Sequence, residues 1–387
     1  MMSAMDSNRL RERLVQLTRD LVLIESTDAR PEERRRCFQL IRNHLEEIPG
    51  IELRRLEKNG YDSLVAMPAG VTRPEVLYCG HLDVVEHPDP ESYRSELRDG
   101  RIYGPGAGDM KGQVAILMEL CRLLWREHPG LPIGLAITSD EERGGENGVK
   151  FLVEEAGLDA SVAVIPDGGS LTDITIEEKG ILHLKLRSEG RSAHAARPWL
   201  GENALEELMR EIGRIRRDVF EPLIPLKVDP DDLDTHWFPT CSVTLLETPN
   251  DSPNRIPEEA EAVLDIRFPP PHTVASVLEQ IRQVLGPSTV AEPLVSAEPT
   301  HLAADSRFLE ITSEVTGEEA RLVRACGGSD ARFFCEKGIP VILSRPRVGN
   351  LHGRDEWIEI DSMLAYFEIC GRYTLERTGC GTELPLA

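Results

Sequence analysis

Three short apolar runs in the first half of the chain each end on a residue that can bind a cation or move a proton. Val76–Cys79 leads into Gly80-His81-Leu82-Asp83, Ile133–Thr138 into Ser139-Asp140-Glu141-Glu142, and Val162–Ile165 into Pro166-Asp167. Apolar runs of this length, separated by helix-length segments, predict buried parallel strands. Open parallel sheets place their ligand sites beyond the carboxyl ends of the strands, so these acids and the histidine converge on one place. Between the first two runs, the glycine-rich loop Tyr103–Gly112 delivers Asp109 at a helix start. Far downstream, Val341–Leu343 runs on to Asn350-Leu351-His352-Gly353 and adds a second histidine.

The surrounding pattern predicts an α/β fold with a largely parallel sheet. Leu10, Leu14, Leu17, Leu21 and Ile24 form one stripe of a helix over 8–24 behind a Ser7 cap, and a second helix over 31–47 opens with Pro31-Glu32-Glu33. A strand is expected at 63–67 and helices at 111–127 and 146–156. At Lys179-Gly180 the texture changes. Leu182, Leu184 and Leu186 alternate with His183, Lys185 and Arg187, followed by a helix at 203–218, strands at 241–247 and 260–268, a helix at 273–285 and a strand at 289–294. That order, β-α-β-β-α-β, is a complete ferredoxin-like unit. The α/β pattern then resumes with a helix at 305–315, the strand at 341–343 and a helix at 361–376. The expected architecture is one α/β domain, residues 1–180 and 296–387, interrupted by a smaller domain at 181–295.

Composition narrows the function. At 387 residues the chain exceeds the size of a typical single domain, and its 40% hydrophobic content suffices for a packed core. With 44 basic against 67 acidic residues, the net charge of −23 argues against nucleic-acid or anionic-membrane binding and leaves divalent cations as natural ligands. No apolar run approaches the roughly 20 residues of a membrane span, and the first residues lack the apolar core of a signal peptide. Eight scattered cysteines without a C-x-x-C pair predict reduced, mostly buried thiols and a cytoplasmic location.

Two imidazoles with three or four carboxylates suit a pair of divalent ions of the zinc, cobalt or manganese kind. In His81-Leu82-Asp83 the two polar side chains share one face of an extended segment, so Asp83 can buttress His81 instead of binding metal. Glu141 and Glu142 are adjacent and point differently; one can ligate while the other shuttles protons.

This ordered set, together with Glu178-Lys179-Gly180, resembles the di-zinc aminoacylase/carboxypeptidase family, which includes acetylornithine deacetylase, succinyl-diaminopimelate desuccinylase, aminoacylase-1, carboxypeptidase G, peptidase T and carnosinase. The resemblance implies His81 on one metal, Asp109 bridging both, Asp167 completing the first site, and Glu142 with His352 completing the second. It implies Asp83 as the residue that orients His81, and Glu141 as general base. The inserted domain resembles the family's lid and dimerisation domain, implying a homodimer. There Ser192–Pro198 resembles the segment whose histidine, here His194, polarises the scissile carbonyl. Asn254, Arg267 and Gly328 resemble elements that hold the substrate, Arg267 as a bidentate carboxylate donor.

Two features depart from the pattern. Pro105 stands where family members commonly carry Arg, and Arg345-Pro346-Arg347 where they carry Gly-Pro-Gly. Those arginines either favour an acidic acyl group or side chain, or face solvent. Asp167 resembles the aminopeptidase and dipeptidase members, since deacylases more often have Glu there. The implied function is metal-dependent hydrolysis of the amide bond in a small N-acyl amino acid. A dipeptidase or aminopeptidase is the alternative, and a non-catalytic metal-binding interaction protein the remote one.

Overall fold

The computed structural model describes residues 4–87, 93–229, 233–382 and 384. It divides into two compact units. One holds the residues up to Ile176, Leu302–Val323 and those from Ser329 onward; the other holds Glu177–His301 and Arg324–Gly328.

The first unit is built on the apolar runs read above. Its sheet runs Ile51–Lys58, Tyr61–Pro68, Ile133–Thr138, Val76–His81, Ala163–Ile165, Val341–Leu343, Asp173–Glu178. The central four strands pair in parallel, and antiparallel pairs flank them. Every residue of Val76–His81 and Ile133–Thr138 is buried, as a sheet covered on both faces requires. Successive side chains divide between two apolar layers. Val76 and Tyr78 pack with the helices Ala4–Val22, Gly112–Glu127 and Ile360–Arg377, whereas Leu77 and Cys79 pack with Val149–Glu154 and Ala331–Glu336. Gly112–Glu127 is buried from Gly112 to Trp125, including Glu119 and Arg122.

Most predicted helices and strands are present within a few residues. The Ser7 cap is not: the first helix already begins at Ala4, because Ala4 and Met5 continue the helical pattern upstream. The strand Ile51–Lys58 lacks an apolar run because it is an edge strand of alternating intermediate and exposed residues. Its hairpin turn, Asn59-Gly60, takes positive φ at both residues, +52° and +85°, and is the stronger sequence signal for it. A small antiparallel sheet of Val348–Gly349, Trp357–Glu359, Arg101–Tyr103 and Glu96–Arg98 also escaped the pattern, its strands being two or three residues long.

The second unit has an antiparallel sheet in the order Thr240–Glu247, Glu259–Phe268, Gly180–Glu189, Thr289–Ala297. With the helices Ala204–Ile215 and Val274–Val284 this is the ferredoxin-like order expected from the sequence. Leu182, Leu184 and Leu186 are fully buried against Leu208, Ile212 and Ile281. Both helices are capped: Asn203 accepts from the Leu205 and Glu206 amides, and Thr273 forms a capping box with Ser276. Among the described residues no helix is long and apolar enough to cross a membrane. None of the eight cysteines is in a disulfide, and four of them are buried.

Candidate metal centre

His81 is the last residue of its strand and 2% exposed. Its Nδ1 lies 3.1 Å from the Asp83 carbonyl oxygen and 3.5 Å from Asp83 Oδ1. Those acceptors hold the proton on Nδ1 and turn Nε2 toward the Asp109 carboxylate, 3.2 Å away. The other Asp83 oxygen accepts the Glu142 amide at 3.0 Å, so one carboxylate braces two strand ends.

Asp109 sits between the two histidines, with Oδ1 3.2 Å from His81 Nε2 and Oδ2 3.2 Å from His352 Nε2. Glu142 Oε1 is also 3.2 Å from His352 Nε2. Glu141 Oε2 lies 4.0 Å from His81 Nε2. Two trios result, each with donor atoms within 4.8 Å of one another: His81 with Glu141 and Asp167, and Asp109 with Glu142 and His352. The strand-end and loop residues singled out in the first unit are therefore brought together.

The loop carrying Asp109 is held by a residue the sequence reading missed. Glu356 is 1% exposed, and its Oε1 accepts the Gly108 and Asp109 amides at 2.8 and 2.9 Å. A Cβ on Gly108 would lie 2.9 Å from Leu351 Cδ2 and from the Trp357 carbonyl, so only glycine lets the His352 segment approach this closely. His352 itself takes φ +60° and Asn350 φ +54°, a left-handed backbone that is uncommon outside glycine. Pro105 is buried in the same loop, between Gly104 and Gly106.

Burial dominates the electrostatics, and the imidazoles oppose it. Burial would raise Asp109, but hydrogen bonds from His352 and His81 outweigh it and hold the carboxyl well below its usual range. Hydrogen bonds to Asp109 and Glu142 push His352 up to about 10. Burial and then the charge of Asp109 raise Asp167 to about 7, with His81 and Arg345 opposing. Burial lifts Glu141 well above an ordinary glutamate, with His81 opposing. Two more buried acids adjoin the set: Asp140, raised by burial to about 6, and Asp330, raised by burial and then by Asp140 to about 8. Carboxylates outnumber cations, and an oxygen of each of these two, Asp140 Oδ1 and Asp330 Oδ1, has no hydrogen-bond partner. The imidazole and carboxylate donors, arranged as two trios with Asp109 3.2 Å from both histidines, fit a pair of divalent ions.

The other residues singled out lie in the second unit. His194 and Asn254 are neighbours there: His194 bridges to Arg255, and the Ala195 amide donates to the Asn254 carbonyl at 2.8 Å. Both are exposed. Arg267 stands opposite Ile181 in the sheet and forms a two-pronged pair with Asp265 at 2.7 and 3.0 Å. Gly328 packs so closely that a Cβ would come 2.8 Å from Ile181 Cδ1. Lys179 is buried, and its Nζ donates to the carbonyls of His236 and Phe238.

Known proteins resemble the chain over most of its length. Residues 77–376 match the peptidase family M20/M25/M40. A succinyl-diaminopimelate desuccinylase of Thioalkalivibrio sulfidiphilus is 28% identical over 355 residues, covering 86% of this chain and 91% of that protein. A tripeptidase from Staphylococcus aureus shares the fold with a TM-score of 0.75 at 19% identity, over 95% of this chain and 99% of the other. Human carnosine dipeptidase 1 does so with a TM-score of 0.72 at 18% identity, over 96% and 98%. The chain belongs to peptidase family M20/M25/M40 and is a metal-dependent hydrolase acting on amide bonds.

Proposed function

We propose that the protein hydrolyses the amide bond of a small N-acyl amino acid, in the manner of a deacetylase or desuccinylase. The observation that carries this is Asp109 held at 3.2 Å from both His81 and His352, with Glu141 alongside. In this assignment His81 and Asp167 would hold one ion, Glu142 and His352 the other, and Asp109 would serve both. Two divalent ions, zinc by the donor set with cobalt or manganese as alternatives, would bring a water's pKa from 15.7 to about 7 and polarise the carbonyl. Glu141 then takes the proton of the attacking water and returns it to the leaving amine, a role suited to a carboxylate whose proton affinity burial has raised. Asp83 keeps the His81 ring in its working tautomer.

We assign residues 1–180 and 296–387 to the catalytic domain and 181–295 to a lid that forms a homodimer. The exposed edge strand Thr240–Glu247, with Val243, Leu245 and Leu246 exposed, supports a pairing surface. His194 Nδ1 accepts the Ala196 amide at 3.1 Å, which makes Nε2–H the donor for the scissile carbonyl. Asn254, Arg267 and Gly328 complete the substrate contacts. Cysteines held outside disulfides support a reducing, cytoplasmic setting. The second reading, a dipeptidase or aminopeptidase, rests on aspartate at position 167.

The test is hydrolysis by zinc- or cobalt-loaded protein of matched N-acetyl, N-succinyl and N-aminoacyl amino acids, with Glu141→Ala in parallel. Turnover of acyl forms alone, abolished in the variant, establishes the deacylase. Turnover of dipeptides alone selects the second reading, and failure to bind two metals defeats both.

A further inference from the structure

One charged group beside the metal centre has no task in the hydrolysis just proposed. The Arg345 side chain is 18% exposed, and its nearest acid, Asp167, lies 4.0 Å from Nη1. That separation is too long for a hydrogen bond. Its Nε is buried without an acceptor. A guanidinium carries five donors and cannot lose its charge, so a buried one with unmet donors is unfavourable unless an anion completes it.

The backbone beneath it is firmly placed. Ser344 is buried, its carbonyl accepts the Tyr366 hydroxyl at 2.7 Å, and the Arg345 amide donates to the Ser170 carbonyl. The neighbouring arginine shows the contrast. Arg347 is 45% exposed, with Nη2 2.9 Å from Glu318 and Nη1 3.6 Å from Glu359. Arg267, the carboxylate donor implied by resemblance, is already matched prong for prong by Asp265. Of these three arginines, only Arg345 has a buried donor without an acceptor.

We propose that Arg345 is a specificity residue that binds a second carboxylate of the substrate, one carried by the acyl group. The substrate class is then the mono-amide of a dicarboxylic acid with an amino acid. This deepens the amide-hydrolase reading and rests on it. The planar fork of Arg345 would take the distal carboxylate bidentately, while the scissile carbonyl lies toward the metal ligands on the far side of Asp167.

The experiment compares wild type, Arg345→Gln, Arg345→Lys and Arg347→Gln, all zinc-loaded and with metal content measured. Each is assayed on N-succinyl and N-acetyl forms of one amino acid. Each is also titrated with succinate and with butyrate, which replaces one carboxylate by a methyl group. The wild type should prefer the succinyl substrate and bind succinate over butyrate. Arg345→Gln should lower kcat/KM for the succinyl form by on the order of 100-fold, far more than for the acetyl form, and erase the preference for succinate. Arg345→Lys should recover part of it, and Arg347→Gln should behave as wild type. An equal fall on both substrates, or an Arg345→Gln protein that still prefers succinate, overturns the proposal. If no amide is turned over, the hydrolase reading fails, and the succinate–butyrate titration still decides whether Arg345 recognises a carboxylate.

Discussion

Two buried groups of acids in the first unit solve the same electrostatic problem differently. Glu119 lies inside the helix Gly112–Glu127 with no exposure, and the protein meets both of its oxygens. Arg122 bonds both at 2.7 Å, Arg13 reaches Oε1 at 2.7 Å and His44 reaches Oε2 at 2.9 Å. Burial would raise this carboxyl, but Arg122, His44 and Arg13 outweigh it and bring it to about 2. At the metal centre, burial also pushes upward and the chain's own cations do not suffice, leaving Asp167 and Glu356 at about 7 and Asp330 at about 8. A buried carboxylate satisfied from within is a structural element. One left short of positive charge is a receptor for cations.

That contrast can be broken or sharpened by measurement. Glu141→Gln should lower kcat by about 10²–10⁴-fold while both metals stay bound, read from steady-state kinetics and elemental analysis. Loss of metal along with activity would make Glu141 a ligand instead of a base. Glu119→Ala should cost about 3–5 kcal/mol in denaturant unfolding, because it strands Arg122 in the core, with no change in metal content. Chelation should do the reverse. It should leave the Glu119 cluster intact and lower stability by about 2.7 kcal/mol for each ion removed, relative to protein held at 100 times the metal Kd.

The pH dependence of the metal-free protein should carry both signs. Glu119 is depressed from 4.5 to about 2, so its contribution is complete above pH 4.5 and is lost as pH falls toward 2. Asp167 is raised from 3.8 to about 7, so its charged form is penalised in the fold and stability falls as pH rises from about 4 to 7. Thermal melts of Glu119→Gln and Asp167→Asn across this range should flatten one limb each. The smallest effect belongs to Asp83→Asn, which should weaken metal binding by about 10–100-fold through the orientation of His81, measured by competition with a chelating dye.

The parts of the site that lie next to strand ends were legible in the sequence. His81, Glu141, Glu142 and Asp167 each follow an apolar run within a few residues, and parallel-sheet geometry brings such positions together. The ferredoxin-like unit was legible because its alternation of leucines is a local signal. Glu356 was not, since its work is done on the amides of Gly108 and Asp109, 248 and 247 residues away in the chain. Asp330, two residues past Gly328, was not legible either, because nothing local reveals that it is buried near Asp140. The difference between Arg345 and Arg347 was equally hidden: both are arginines just past a strand, and only packing puts an acid within hydrogen-bond reach of Arg347 and leaves Arg345 4.0 Å from its nearest one.

The strand order has a consequence for how such a chain comes into being. Val341–Leu343 lies between Ala163–Ile165 and Asp173–Glu178 in the sheet, yet roughly 175 residues are translated between Ile165 and Val341. At about 5–20 residues per second, the earlier strands wait about 10–35 s for their neighbour. During that interval Ala163–Ile165 presents an unpaired apolar edge, while the self-contained pattern of the second unit emerges complete in the meantime. His352 arrives later still. With the ligands proposed above, activity would wait for His352, and the step most exposed to chaperones and to aggregation is the insertion of that three-residue strand.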